Sequence, residues 1–199
     1  DTMTASTSLH IASTSKTFTG IATLRLVQEG KLSLDDSLRK FFPTLPYPGI
    51  TLKMLLNHRS GLPNYVHFMD KTSWNKKVYC TNKDVLNILI QEHPNKEANP
   101  GRKFSYCNTN YLLLALIIEQ VTGKTFPDYM KEKFFTPLGM KDSYVFSLKD
   151  TLTATPSFKP DGYQWTNDFL DGTYGDKNVY TTATDLLKWD QALYTDQVI

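Results

Sequence analysis

The chain has 199 residues, of which 40% are hydrophobic and 21% are charged, and it carries a formal net charge of +2. This composition is typical of a globular protein with a buried core. The charges are spread along the chain without a basic stripe or a recognisable binding motif, which argues against nucleic acid as a partner. The longest apolar run, residues 111–118, is much shorter than the ~20 residues of a membrane-spanning helix.

Helical signals recur along the chain. In the first, Phe18, Ile21 and Leu26 follow the spacing of one helix face, and Gly30 is placed to end the helix. Two later helices have the start signal of a capping box, a threonine followed three residues on by an aspartate: Thr81 with Asp84, and Thr182 with Asp185. We predict helices over these segments: about Thr14 up to Gly30, Thr51 through Leu56, Thr81 through Leu89, Tyr111 to Val121, Thr125 to about Phe134, and Leu186 to Leu193 after a cap at Thr182.

The segments between these helices show little periodicity. Residues 1–9 are rich in threonine and serine and predict an extended lead-in, whereas residues 64–80 are aromatic and irregular. Residues 143–174 are interrupted by proline and glycine, so we predict loop with at most a short strand. No internal repeat or linker divides the chain. We therefore expect a helical body with few strands, in a single domain over residues 1–199.

The two cysteines, Cys80 and Cys107, are too few for a disulfide framework or a zinc site, and they leave the redox compartment open. Cys107 could be taken for a nucleophile. However, no motif ties any of the four histidines to its thiol, and His58 and His93 are interpreted as turn residues. We interpret Cys107 as a small buried residue.

A serine stands one helical turn before a lysine at the start of the first predicted helix. Positions i and i+3 share a helix face, so the hydroxyl and the ammonium can meet. A serine is a weak nucleophile until a neighbouring base takes its proton. A solvated helix face is nevertheless the ordinary interpretation of this spacing, and Ser13 differs only because its apolar context predicts a half-buried serine. Three pairs share the spacing: Ser13/Lys16, Ser37/Lys40 and Ser73/Lys76.

The sequence Tyr106-Cys107-Asn108 lies in a polar turn before the most apolar helix. A tyrosine serves as a general base where neighbouring ammonium groups favour its phenolate form. An asparagine can hydrogen-bond a substrate amide and a lysine together. The alternative is an Asx turn that leads into the helix, with Tyr106 simply packing.

Four stretches together resemble the serine β-lactamase and penicillin-binding protein family, most closely its class C-like and D-alanyl-D-alanine carboxypeptidase-like branch. The similarity runs from about Thr7 to Leu193 in the family's order and spacing. The stretches are IASTSKTFTGIATLRLVQEGKLSLDDSLRKFFP, ITLKMLLNHRSGLP, PGRKFSYCNTNYLLLALIIEQVTGKTFPDYMKEKFFTPLGMKDS and GDKNVYTTATDLLKWDQAL.

The resemblance implies an α+β fold of the β-lactamase/transpeptidase type. The Ser-x-x-Lys motif of this family makes Ser13 the acylated nucleophile and Lys16 its hydrogen-bonded partner. The resemblance also implies that Tyr106 is the general base and that Asn108 is an amide on the substrate side. It implies no metal and no organic cofactor.

The chain departs from the family pattern in its third motif. The family carries Lys-Thr-Gly or His-x-Gly on a strand that faces the nucleophile, and neither occurs in this chain. Arg59-Ser60-Gly61 is similar, but we interpret it as a structural turn. Strands ahead of the nucleophile are missing as well, so we expect a partial domain over residues 1–199 that holds the helical lobe and lacks most of the antiparallel sheet. Asn178 stands where related sequences usually carry glycine before a Val-Tyr-Ser/Thr-Thr turn, and because asparagine tolerates a positive φ we expect this turn to be kept.

The implied function is that of a serine acyl hydrolase or transferase acting through an acyl-enzyme. Its substrate would be a D-amino-acid peptide such as a peptidoglycan stem peptide, a β-lactam or an ester, and its location the cell envelope, periplasmic or extracellular. The alternative is a catalytically silent relative that binds a peptide or a protein partner. We expect the 199 residues by themselves to be inactive, because the strand that completes the site is absent.

Overall fold

The computed structural model describes residues 3–199. Its central element is the helix α6 (Asn108–Thr122), in which every residue from 109 to 118 is buried. A helix that is apolar all round is covered on every side, and α6 is contacted by the helices α1, α3, α4, α5 and α7. The other helices are α1 (Ser15–Gln28), α2 (Leu38–Phe41), α3 (Leu52–Leu56), α4 (Tyr65–Phe68), α5 (Asn82–Glu92), α7 (Phe126–Met130) and α8 (Ala183–Ala192). None of the helices within these described residues is long and apolar enough to cross a membrane.

The predicted helix starts are confirmed by their caps. The side chains of Thr51, Thr81, Thr125 and Thr182 each accept a hydrogen bond from the backbone N–H three residues further on. These bonds satisfy donors that the first helical turn leaves free. Gly123 ends α6 with φ +69°.

The strands form one small antiparallel sheet in the order β1-β3-β2, with bounds β1 Leu9–His10, β2 Tyr144–Val145 and β3 Val179–Thr181. Leu9 pairs with Thr181, and Tyr144 pairs with Tyr180. The sheet thereby holds the segment just before α1 against β3, the strand that precedes α8.

Two local predictions were wrong, and a third holds with a change of geometry. A short helix, α4, occupies part of the segment predicted to be irregular. The helix predicted up to about Phe134 is present, but after Met130 it continues as the π-helical turn Lys131–Phe135. Residues 179–181, predicted to form a turn, are the central strand. The strand is stabilised by partners that are remote in sequence, so no local signal marks it.

The turn over residues 57–63 is structural, as predicted. Gly61 has φ +70°, and a Cβ there would lie 2.1 Å from the carbonyl oxygen of Ala98. The hydroxyl of Ser60 donates to Oδ1 of Asn110 at 2.6 Å, which attaches the turn to α6. The turn has no room for any residue but glycine at position 61.

Candidate active site

Ser13 lies in a 3-10 turn, Ala12–Thr14, immediately ahead of α1. The sequence predicted a half-buried serine, but the structure exposes it. The preceding residue, Ala12, has φ +46°, a region that costs an L-residue roughly 1–2 kcal/mol. Strained backbone of this kind is concentrated at functional sites, and here it presents the serine to the solvent.

Lys16 is in the first turn of α1 and is 7% exposed. Its Nζ donates to Ser13 Oγ at 3.1 Å and to the backbone oxygen of Asp176 at 2.8 Å. It also lies 4.9 Å from the centroid of the Tyr106 ring, a distance at which the ring face attracts a cation. The lysine therefore points away from solvent and towards the serine hydroxyl.

Tyr106 is the second residue that contacts the hydroxyl of Ser13. Its OH donates to Ser13 Oγ at 2.8 Å, although the two residues are 93 positions apart. Ser13 Oγ is thus within hydrogen-bond distance of a lysine and a tyrosine at the same time. The structure brings together three of the four predicted site residues.

The other two Ser-x-x-Lys pairs are engaged elsewhere. Ser37 caps α2, while Lys40 forms an ion pair with Asp36 at 2.9 Å. Lys76 forms an ion pair with Asp70 at 2.7 Å. These two pairs match the ordinary interpretation of a solvated surface.

Asn108, the fourth predicted residue, is the first residue of α6. Its backbone N–H donates to Oδ1 of Asn64 at 3.2 Å. Within residues 3–199 its side-chain amide makes no hydrogen bond to Lys16, so the predicted link between the two is not formed. The residue nevertheless lies two positions from Tyr106, at the edge of the site.

His58 is a site residue that the sequence interpretation missed. It does lie in a turn, with φ +56°, but its ring packs against that of Tyr106 with centroids 4.5 Å apart. Its Nδ1 accepts the backbone N–H of Cys107 at 3.1 Å. Burial and, second, the positive charge of Lys16 lower the pKa of His58. No local pattern signals this role, because the histidine acts on a segment far along the chain.

The loop before β3 contacts the first turns of α1 beside the site. The hydroxyl of Thr19, one turn after Lys16, donates to the oxygen of Gly175 at 2.6 Å, next to the oxygen that receives Lys16. Asn178 has φ +74° and its Nδ2 donates to the oxygens of Asp171 and Thr173, at 2.9 and 2.7 Å. Asparagine therefore keeps the turn expected of glycine and fastens the loop as well.

Cys107 is buried, and its thiol lies 3.4 Å from the carbonyl oxygen of Leu62. Burial raises the pKa of this thiol to about 11. A thiol of this kind is inert at neutral pH, in agreement with its interpretation as a buried filler. Within residues 3–199 no three His, Cys, Asp or Glu side chains are grouped to hold a metal ion.

The profile of the Beta-lactamase family matches residues 1–198. The chain belongs to the Beta-lactamase family. Penicillin-binding protein 4* of Bacillus subtilis is 33% identical over 206 residues, covering 96% of this chain and 46% of that protein. Protein flp of Staphylococcus aureus is 38% identical over 141 residues, covering 67% of this chain and 27% of its own length. The chain thus spans less than half the length of these curated relatives.

Solved structures confirm the α+β, β-lactamase/transpeptidase-like fold for this family member. The penicillin-binding protein from Bacillus halodurans superposes with a TM-score of 0.84 at 33% identity, covering 98% of this chain and 62% of that one. The D-amino acid amidase from Ochrobactrum anthropi gives 0.80 at 28% identity, covering 99% and 58%. What is aligned is the helical portion with its small three-stranded sheet, which is part of the complete fold.

Proposed function

We propose that this chain carries the nucleophilic centre of a serine acyl hydrolase or transferase, with Ser13 as the residue that becomes acylated. The observation that carries the proposal is the position of Ser13 Oγ, 3.1 Å from Lys16 Nζ and 2.8 Å from Tyr106 OH. A hydroxyl with two titratable neighbours can lose its proton as it attacks a carbonyl.

The proton balance follows from this geometry. When Lys16 and Tyr106 are both protonated, both donate to Ser13 Oγ and neither can accept its proton. The pair must first lose one proton, and we propose that it leaves the Tyr106 hydroxyl, the general base that the family resemblance implies. The phenolate then takes the proton of Ser13 as the serine oxygen bonds to the substrate carbonyl carbon, and later returns it to the leaving group.

The negative charge that develops on the substrate oxygen needs donors. We assign one to the backbone N–H of Ser13, and a second to a strand that faces the nucleophile. Neither Lys-Thr-Gly nor His-x-Gly is present in these 199 residues. The loss of one such donor costs ~10²–10³ in rate, so we propose that residues 1–199 alone form a partial domain without substantial activity.

The proposed substrates are D-amino-acid peptides, β-lactams or esters. Support comes from the names of similar proteins, which include a penicillin-binding protein and a D-amino acid amidase. Asn108, at the edge of the site, is proposed to bind the substrate amide. The resemblance to penicillin-binding proteins leads us to propose the cell envelope, periplasmic or extracellular, as the location of the protein.

The test uses the complete gene product that contains this chain. We expect a fluorescent penicillin or an activated ester to form a covalent adduct on Ser13, which mass spectrometry of the peptides locates. Ser13→Ala should abolish the adduct, and Ser37→Ala is the matched control because Ser37 belongs to a Ser-x-x-Lys pair remote from the site. Equal labelling of a folded Ser13→Ala protein would refute the assignment.

The alternative, a silent binding module, predicts a different result. A folded protein that binds penicillin or peptide reversibly, with no adduct on Ser13, would support it. Hydrolysis by the purified 199 residues through Ser13 would contradict the proposed inactivity of the partial domain.

A further inference from the structure

The residue whose backbone carbonyl accepts the hydrogen bond of Lys16 has a buried acidic side chain. Asp176, in the loop before β3, is 2% exposed. Its Oδ2 accepts the hydroxyl of Tyr65 at 2.8 Å, and that hydroxyl also lies 2.9 Å from Oγ1 of Thr173. Its Oδ1 is buried and has no hydrogen-bond partner among the described residues. A buried carboxylate with an unpartnered oxygen is destabilising, so its presence requires a reason.

Among the described residues, Lys16 has no charged hydrogen-bond partner. The hydrogen bonds of its Nζ go to a hydroxyl and to a backbone carbonyl, those of Ser13 and Asp176, neither of which carries a full charge. A buried ammonium is stabilised by a negative charge nearby. The residue whose carbonyl holds the ammonium also carries a carboxyl group.

We propose that Asp176 is a positioning residue for Lys16: its backbone carbonyl holds the ammonium at Ser13, and its buried carboxylate stabilises the positive charge. The inference rests on the proposed acyl chemistry of Ser13. Tyr65, from α4, holds the carboxylate in place. Burial raises the pKa of Asp176 above its ordinary value, although the charges of Lys177 and Lys16 and the hydroxyl of Tyr65 oppose the rise. The positive charge of Lys16 therefore favours the carboxylate form of Asp176.

The surroundings contain further charged and titratable groups. The carboxylate of Asp171 forms an ion pair with Lys177 at 2.9 Å, so its charge is already balanced. The groups that face the pair are Lys177, Asp171, Tyr65, His58, Tyr106 and Tyr111.

This arrangement has a measurable consequence for the pH dependence. A fixed negative charge beside Lys16 opposes the removal of a proton from the site. Removal of that charge should move the pH profile of Ser13 acylation to lower pH, by about one unit.

The first experiment compares the pH profile of Ser13 acylation in Asp176→Asn with that of the unmodified gene product. Asparagine retains the backbone carbonyl and an oxygen for Tyr65, so the fold should survive, as thermal unfolding will show. Asp70→Asn is the matched control, since it removes an exposed carboxylate that pairs with Lys76 at 2.7 Å. We expect a shift of about one pH unit in Asp176→Asn and none in Asp70→Asn. A lower profile that does not move would show a merely structural role and overturn the proposal.

A second measurement does not depend on activity or on the Asp176 variant. The carboxyl carbon of Asp176 is followed by carbon-13 NMR as the pH is changed, in the unmodified protein and in Lys16→Met. Loss of the ammonium should raise the midpoint of this titration by about one pH unit, and an unchanged midpoint overturns the proposal. If Ser13 is never acylated but the midpoint moves, the proposed function has failed while the pairing of Asp176 with Lys16 stands.

Discussion

The imidazole of His58 lies against the phenol ring of Tyr106, with centroids 4.5 Å apart and planes inclined by 32°. The same imidazole accepts the N–H of Cys107, the residue after that tyrosine, at 3.1 Å. One side chain thereby holds both the ring and the backbone of the proposed general base. Protonation of Nδ1 would remove that hydrogen bond and place a cation beside Lys16.

The stability of the folded chain should therefore fall in mild acid. An unfolded histidine takes up its proton at about pH 6.5, whereas burial and the charge of Lys16 hold the pKa of His58 lower. As the pH falls below about 6.5, the unfolded state gains a proton before the folded state does. The free energy of unfolding then decreases, by at most about 1.4 kcal/mol per pH unit, until the folded pKa is reached.

Urea unfolding of His58→Gln over this pH range measures that contribution. The variant lacks the proton uptake, so its free energy of unfolding should decline less steeply than that of the unmodified protein. His10, whose pKa is lowered mainly by burial, leaves a residual decline in both proteins. The exposed His67 provides the control His67→Gln, and identical slopes in all three proteins would contradict the role of His58.

Loss of either proton-handling group should slow acylation of Ser13 in the complete gene product. Tyr106→Phe keeps the ring that packs on His58 but removes the hydroxyl at 2.8 Å from Ser13 Oγ. Removal of a general base costs typically 10²–10⁴ in rate, and we expect losses in that range for Tyr106→Phe and for Lys16→Met.

The control for these two variants is Lys40→Met, from the second Ser-x-x-Lys pair. Lys40 is exposed and pairs with Asp36, so its loss should leave the acylation rate unchanged. Rapid-mixing measurements with an activated ester give the rates. Acylation of Tyr106→Phe at the unmodified rate would exclude the tyrosine as the base.

Gly61 should be far less tolerant of substitution than Gly49, although both have a positive φ. A Cβ at Gly61 would lie 2.1 Å from the carbonyl oxygen of Ala98, whereas nothing lies within 4 Å of one at Gly49. We expect Gly49→Ala to cost about 1 kcal/mol of stability for its conformation. Gly61→Ala should cost about 3 kcal/mol, because the clash adds to that term. Urea unfolding measures both, and equal losses would show that the turn can open.

The two thiols should be unreactive in the folded protein. Burial raises the pKa of Cys80 to about 12 and that of Cys107 to about 11, so almost no thiolate is present at neutral pH. A thiol-specific chromogenic reagent should label neither cysteine in buffer and both in urea. Rapid labelling of native Cys107 would instead support a reactive thiol beside Tyr106.

The sequence by itself determined the elements that depend on near neighbours. A threonine hydroxyl reaches an N–H three residues away, so the caps at Thr51, Thr81 and Thr182 were predictable and fixed where helices begin. Ser13 and Lys16 are one helical turn apart for the same reason. The family resemblance added Tyr106 and Asn108, which no local spacing relates to that pair.

The tertiary structure decided what these residues meet. Lys16 reaches the carbonyl of Asp176 across 160 positions, and Tyr106 reaches Ser13 across 93. Such contacts arise because α1, α4 and the loop before β3 are held around the buried helix α6, and the burial of apolar surface has no preference for sequence distance. For that reason His58 and Asp176 carried no signal in the sequence, and Ser13, predicted to be half buried, proved to be exposed in a strained turn.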